Sequence, residues 1–242
     1  MIIDKPYKRI HRCKGFPVFF NGLTDDYVLD PDYMSLSERH SIVRAMNMLI
    51  DDLQKTLDYI EPDDKNLSVY SHRLYELLLR AATEFESNCS GILTANGYKK
   101  EKGKSLTIED YHKLNEVMKL SDYKIKLSFW NSEKVLFPLS EWNTGHSLKW
   151  YQAYNSVKHN RLEKFTDASL DNVLYAITSV VCIVYAQLGD YMLSESSNCY
   201  DDSDHRHHCE YRGFAIIAPS FEEDEYNIMY KEKYDVVQYR FE

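Results

Sequence analysis

From Ile42 onward, apolar residues recur every three or four positions through Met46, Leu49, Leu53, Leu57 and Ile60, and the series stops at Pro62. That period lines one face of a helix. Just ahead of it, Ser35-Leu36-Ser37-Glu38 has the capping-box spacing, in which a hydroxyl and a carboxylate satisfy the open amides of a first turn. The pattern predicts a helix from about residue 35 to 60. A second stripe follows with Leu67, Tyr70, Leu74, Leu77, Leu78, Ala81, Phe85 and Ile92, and Asn96-Gly97 supplies a C-terminal stop. The two helices are expected to pack antiparallel. Ile108, Tyr111, Leu114 and Met118 mark a shorter helix over 107–118.

Residues 123–129 alternate apolar and polar at period two, as a half-buried strand does, and 135–139 can pair with them as a hairpin. A fourth helix is predicted over about 147–162. The fifth covers 169–192, with an apolar run from Val173 to Leu188 that suits the centre of a bundle. Beyond it, 194–209 is polar, acidic and rich in histidine, and reads as a mobile loop. Residues 214–218 and 236–241 read as strands that pair with each other. The fold class expected is mainly α: a helical bundle of about five helices, a small β-hairpin insertion and a minor C-terminal β appendage. The divisions are an N-terminal arm at 1–34, the bundle at 35–193, and an acidic loop with the appendage at 194–242.

With 242 residues, 44% of them hydrophobic, the chain can bury a sizeable core as one unit. The opening MIIDKPYKR places charges where a signal peptide has its apolar segment, and no run approaches the ~20 apolar residues that cross a bilayer. A cytoplasmic location with no membrane contact is expected. Five scattered cysteines do not form a secreted disulfide framework, so reduced thiols are expected, with Cys89 and Cys182 buried.

The formal net charge of -9 is uneven. Residues 195–242 carry 12 acidic and 5 basic side chains, which leaves the first 194 residues at only -2. A general nucleic-acid coat is excluded, whereas a local phosphate site on a nearly neutral body is not. Lys99, Lys100, Lys102 and Lys104 read as a solvated loop. Cys199, His205, His207, His208 and Cys209 are zinc-capable donors, but they lack the two separated ligand pairs of a structural zinc site. No Gly-rich phosphate loop, Gly-x-Ser-x-Gly elbow or His-Glu-x-x-His occurs. Neither a metal nor a cofactor is expected.

The polar groups that stand out lie on the fourth helix, in WYQAYNSVKHNR at 150–161. At 100° per residue, Asn155 and His159 lie one turn apart on a face shared with Leu148, Tyr151 and Leu162, while Trp150, Ala153 and Val157 lie opposite. A helix apolar on two sides needs a second covering surface, either another helix or another subunit. An imidazole there can transfer protons near neutrality, and an amide one turn away can orient it or hold a phosphate oxygen. Lys158 borders the face and Arg161 lies further round, and either can pair with phosphate. On the second helix, Arg80 could bring a guanidinium to this face and Glu84 could orient the His159 ring. The plainer readings are a satisfied interior Asn/His pair and an Arg80/Glu84 salt bridge along the helix flank.

Tyr154-Asn155-Ser156-Val157-Lys158-His159, late in a helical bundle and followed by a long apolar helix, resembles the signature of the HEPN superfamily (higher eukaryotes and prokaryotes nucleotide-binding). That signature is an arginine, a polar residue, three variable residues and a histidine. Asn155 and His159 match, and Tyr154 stands in the arginine's place. With YSHRLYELLLRAATEFE upstream, the chain also resembles an uncharacterised bacterial protein family over roughly 65–190. The resemblance implies a compact bundle, a homodimer with two motifs meeting across the interface, and metal-independent RNA cleavage in defence or toxin-antitoxin systems. Members without the activity bind or scaffold instead. On this basis His159, Asn155 and Arg161 are the catalytic candidates, with Lys158, Tyr151, Tyr154, Arg80 and Glu84 contacting RNA or a nucleotide. The alternative is a non-catalytic interaction protein that uses the same face for dimerisation or for a cognate protein partner.

Overall fold

The computed structural model describes residues 6–12, 30–101, 104–189, 198–201, 207–221 and 235–242. It is mainly α, with a small antiparallel sheet. The first helix, α1 (Leu36–Leu57), starts where expected: Glu38 N–H donates to Ser35 Oγ over 3.3 Å and Ser35 N–H donates to the Glu38 carboxylate over 3.1 Å. Its apolar stripe buries Met46, Leu49, Ile50 and Leu53.

The second helix, α2 (His72–Ala95), begins five residues later than its stripe suggested. Ser71 caps it by accepting from Leu74 N–H, and Leu67 and Tyr70 lie in the connection before it. Tyr70 instead forms a β-bridge with Ser169. Asn96 and Gly97, the latter at φ +79°, end α2 as expected. Arg80 on α2 donates to Asp52 near the end of α1, which fits the antiparallel packing of the pair.

The expected helix over 107–118 is two short ones, α3 (Ile108–His112) and α4 (Leu114–Met118), divided at Lys113. Asp110 accepts from the amide and hydroxyl of Thr107, the hydroxyl of Tyr98 and the ammonium of Lys100. The expected fourth helix is also broken. α5 (Lys149–His159) ends at Asn160, whose φ/ψ of -142°/63° leaves the helical region, and α6 (Arg161–Lys164) follows.

α7 (Leu170–Leu188) packs against α1, α2 and α5 and is buried on nearly every side. Among the described residues it alone is long and apolar enough to cross a bilayer, contrary to expectation, but 83% of that stretch lies inside the protein, as a core helix does. Phe85 of α2 meets the Trp150 ring edge-on at 5.3 Å in the same core.

β1 (Lys124–Leu127) and β2 (Lys134–Leu136) form the expected hairpin, with Ile125 opposite Leu136. The C-terminal strands differ from expectation. β3 (Asn198–Asp201), β4 (His207–Tyr211) and β5 (Phe214–Ile217) join the hairpin in one sheet of order β2-β1-β5-β4-β3. Thus the described strands after α7 share a sheet with the hairpin, and the segment read as a loop contains β3 and the start of β4. Cys209 is disulfide-bonded, and the residue opposite it in the β3–β4 register is Cys199. Among the described residues the expectation of reduced thiols holds for the buried Cys89 and Cys182 and fails for Cys209, while Cys13 lies outside them.

Residues 236–241 do not pair with 214–218. Val237 bridges Tyr7 in the N-terminal arm, and Tyr239 N–H donates to Asn96. The described part of that arm packs on the bundle. Arg9 donates to Gln187 of α7 over 2.9 Å, and Gln187 donates to Asn88 of α2 over 2.8 Å.

Candidate functional site at the α5–α6 corner

Trp150 and Val157 turn α5 towards the core, where both are almost wholly buried. The second apolar side, which carries Tyr151 and Tyr154, is covered by α2 of the same chain. Tyr151 donates its hydroxyl to Glu86 over 2.6 Å, and beyond the end of α5 the Arg161 guanidinium lies 5.7 Å from the centre of the Tyr75 ring. The later half of α2 therefore meets the start of α5, and its first turn meets α6. The two helices run antiparallel.

Cover by α2 stops short of the last turn. Asn155 is half-buried, Lys158 and His159 are exposed, and Leu162 is 92% exposed. Neither the Asn155 nor the His159 side chain makes a hydrogen bond or ion pair among the described residues. Lys158 bends back instead: its ammonium donates to the Tyr154 hydroxyl over 2.8 Å and lies 4.9 Å from the ring centre. That bond holds its pKa above the ordinary lysine value. Burial, reinforced by the carboxylate of Glu86, pushes the Tyr151 phenol far up, so it stays a neutral donor.

Two candidates are not brought here. Arg80 and Glu84 lie roughly 120° to 180° round α2 from Glu86 and Tyr75, counting 100° per residue. Arg80 is tied to Asp52 of α1 over 2.6 Å, and its exposed ion pair is a link within the bundle. The sequence could not reveal which flank of α2 would face α5, because both flanks border the same apolar stripe. Glu86, which the sequence reading passed over, is the carboxylate that α5 contacts. Its signal was a charge set among Ala82, Phe85 and Cys89 on the buried side.

What remains together is the half-buried Asn155 with His159, Arg161 and the neighbouring cations Lys158 and Lys164, all four of them exposed. No protein-family model, curated protein or solved structure matches the chain. The chemistry must accordingly be judged from the corner itself. The negative end of the α5 dipole favours cations in this last turn, so Lys158 alone does not signal a ligand. The same end of the helix suits the basic His159, so it is the Asn155 amide that the helix itself leaves unexplained, and neither side chain is bonded among the described residues. Among the described residues the corner is an open surface without an opposite wall. It can present a proton donor or acceptor and several cations to a phosphate from one side, and a second surface is needed to enclose it.

Proposed function

We propose that this chain is a HEPN-like, cytoplasmic protein that binds RNA or a nucleotide phosphate at the α5–α6 corner, with His159 as the general acid/base of a metal-independent cleavage. Asn155 orients the ring or holds a phosphate oxygen, and Arg161 and Lys158 neutralise charge. Tyr154 does not contact substrate in this reading, being buried and held by Lys158. Tyr151 positions α5 from beneath through Glu86. The observation that carries the reading is that an exposed imidazole and a half-buried amide, one turn apart, are both left without a side-chain partner among the described residues. A second copy of the chain closes the open side as a homodimer. A role in bacterial defence or a toxin-antitoxin pair follows from the HEPN resemblance.

The test is cleavage of structured and single-stranded RNA in the presence of a chelator, comparing the parent with His159→Ala and Asn155→Ala. Loss of cleavage by 10²-fold or more in His159→Ala, at an unchanged melting temperature, is the expected result. Equal cleavage by the parent and His159→Ala sinks the catalytic reading.

A second reading rests on Leu162, whose side chain is 92% exposed beside the same histidine. In it, the corner is the non-catalytic contact surface of a scaffold, covered by a second copy or a cognate protein. Sedimentation of Leu162→Glu separates the readings: a dimer lost without RNA cleavage in the parent favours the scaffold.

A further inference from the structure

Beyond the end of α6, the connection before α2 and the connection before α7 border an open cleft of about 580 Å³. Its walls include Ser68, Tyr70, Asp167, Ser169, Asp171 and Asn172. The two connections are laced by main-chain bonds: Leu170 N–H donates to Val69 over 2.8 Å and Asp171 N–H donates to Leu67 over 3.0 Å. The floor is held too, since Asn172 donates its side-chain amide to the Asp167 carbonyl and its backbone amide to Ser169 Oγ. The Tyr70 ring is braced edge-on against Phe165 at 5.6 Å, and Phe165 packs at a tilt against His72 at 4.8 Å. This shape is built without a ligand, and its volume is in the range of small-molecule sites.

The lining contains two carboxylates and no cation. Neither carboxylate, of Asp167 or of Asp171, accepts a hydrogen bond among the described residues. Asp171 is half-buried, and burial is the first cause that raises its pKa above the ordinary carboxylate value. Asp64 adds to the rise, while Lys134 and Lys149 oppose it. Of those two lysines, Lys134 is already bonded to Asp64 over 2.9 Å. Taking a carboxylate half out of water without a donor carries a cost, which the α7 dipole at this first-turn position offsets only in part. A ligand bringing both N–H donors and positive charge removes that cost, whereas a phosphate would meet two like charges.

We propose that this cleft binds an organic cation, an ammonium or guanidinium on a short aliphatic stem, with Asp167 and Asp171 as its counter-charges and Tyr70 as its aromatic wall. A guanidinium can pair with a carboxylate through two parallel N–H bonds, and either cation gains from lying against the face of a tyrosine. The cleft lies outside the α5–α6 corner, so the proposal does not depend on the RNA reading.

Calorimetric titration of the full chain with agmatine, putrescine and 1,4-butanediol tests it, because the diol keeps putrescine's length and loses its charge. Binding of either cation with no measurable binding of the diol is expected. Asp171→Asn should weaken cation binding at least tenfold at an unchanged melting temperature, as its carboxylate makes no bond in the protein. If that variant fails to fold, Asp167→Asn gives the same test. A further titration with Nα-acetyl-arginine amide distinguishes a free amine from an arginine on a protein, and tighter binding than agmatine points to the latter. No binding of any cation at millimolar concentration, equal binding of the diol, or unchanged binding by both Asp variants overturns the proposal.

Discussion

The Tyr151 hydroxyl donates to the Glu86 carboxylate over 2.6 Å, three helical turns along α2 from where Arg161 lies on the Tyr75 ring. These two contacts set the line of α5 against α2 and so decide which side chains the last turn of α5 leaves in the open.

Tyr151→Phe removes the donor and leaves a half-buried carboxylate unpaired at the helix seam. A loss of about 1–3 kcal/mol is expected, read as a fall in the midpoint of urea unfolding at unchanged slope. A smaller loss in the double variant Tyr151→Phe/Glu86→Gln than the sum of the singles would show that the two groups act as a pair.

Arg80→Ala breaks an exposed ion pair with Asp52 and touches nothing at the α5–α6 corner. It should cost less than about 1 kcal/mol and leave any RNA binding or cleavage intact. A large loss of activity without loss of stability would place Arg80 in the site after all.

Gly189 has φ +56°, and a Cβ built there would run into the His11 ring. Gly189→Ala combines backbone strain of about 1–3 kcal/mol with displacement of the N-terminal arm. The variant should unfold at lower denaturant than the parent, and limited proteolysis should cut near residues 6–12 in the folded variant before it does so in the parent.

Asp110 is buried, which by itself raises a carboxyl pKa, but bonds from Lys100, Thr107 and Tyr98 outweigh burial and hold the group well below the ordinary aspartate value. A pKa lower in the folded than in the unfolded state contributes stability above the unfolded value of about 3.9 and loses it as the pH falls towards the folded value. The stability gap between the parent and Asp110→Asn should therefore be full at pH 6 and shrink steadily below about pH 4. A gap that stays constant down to pH 2 would contradict this account.

Helix positions were readable where capping chemistry and periodicity coincided. Ser35 with Glu38 marked α1, and Asn96-Gly97 marked the end of α2. Boundaries were misread where a tertiary contact drew a residue away from its local pattern. Tyr70 continues the α2 stripe in sequence, yet it is held in a bridge to Ser169, about a hundred residues along the chain. The C-terminal strands were obscured for a similar reason. In β4 the buried Cys209 and Tyr211 alternate with the polar His208 and Glu210 over too short a run to stand out, and the strand is paired with β5. The pair on α5 was readable as neighbours on one face from spacing alone. That its second side would be covered by α2 only as far as Tyr154 depends on packing that no periodicity records.

The sheet order places β5 between β1 and β4, so a hairpin from the middle of the chain shares its inner edge with a strand about ninety residues further on. As the chain leaves the ribosome, α1, α2 and the hairpin emerge while β1 still shows a row of unpaired amides and carbonyls. That row is covered only when residues 214–217 arrive. Until then the nascent protein carries an open sheet edge beside apolar Ile125 and Leu127, and this interval is when a chaperone or a neighbouring chain has most to hold on to.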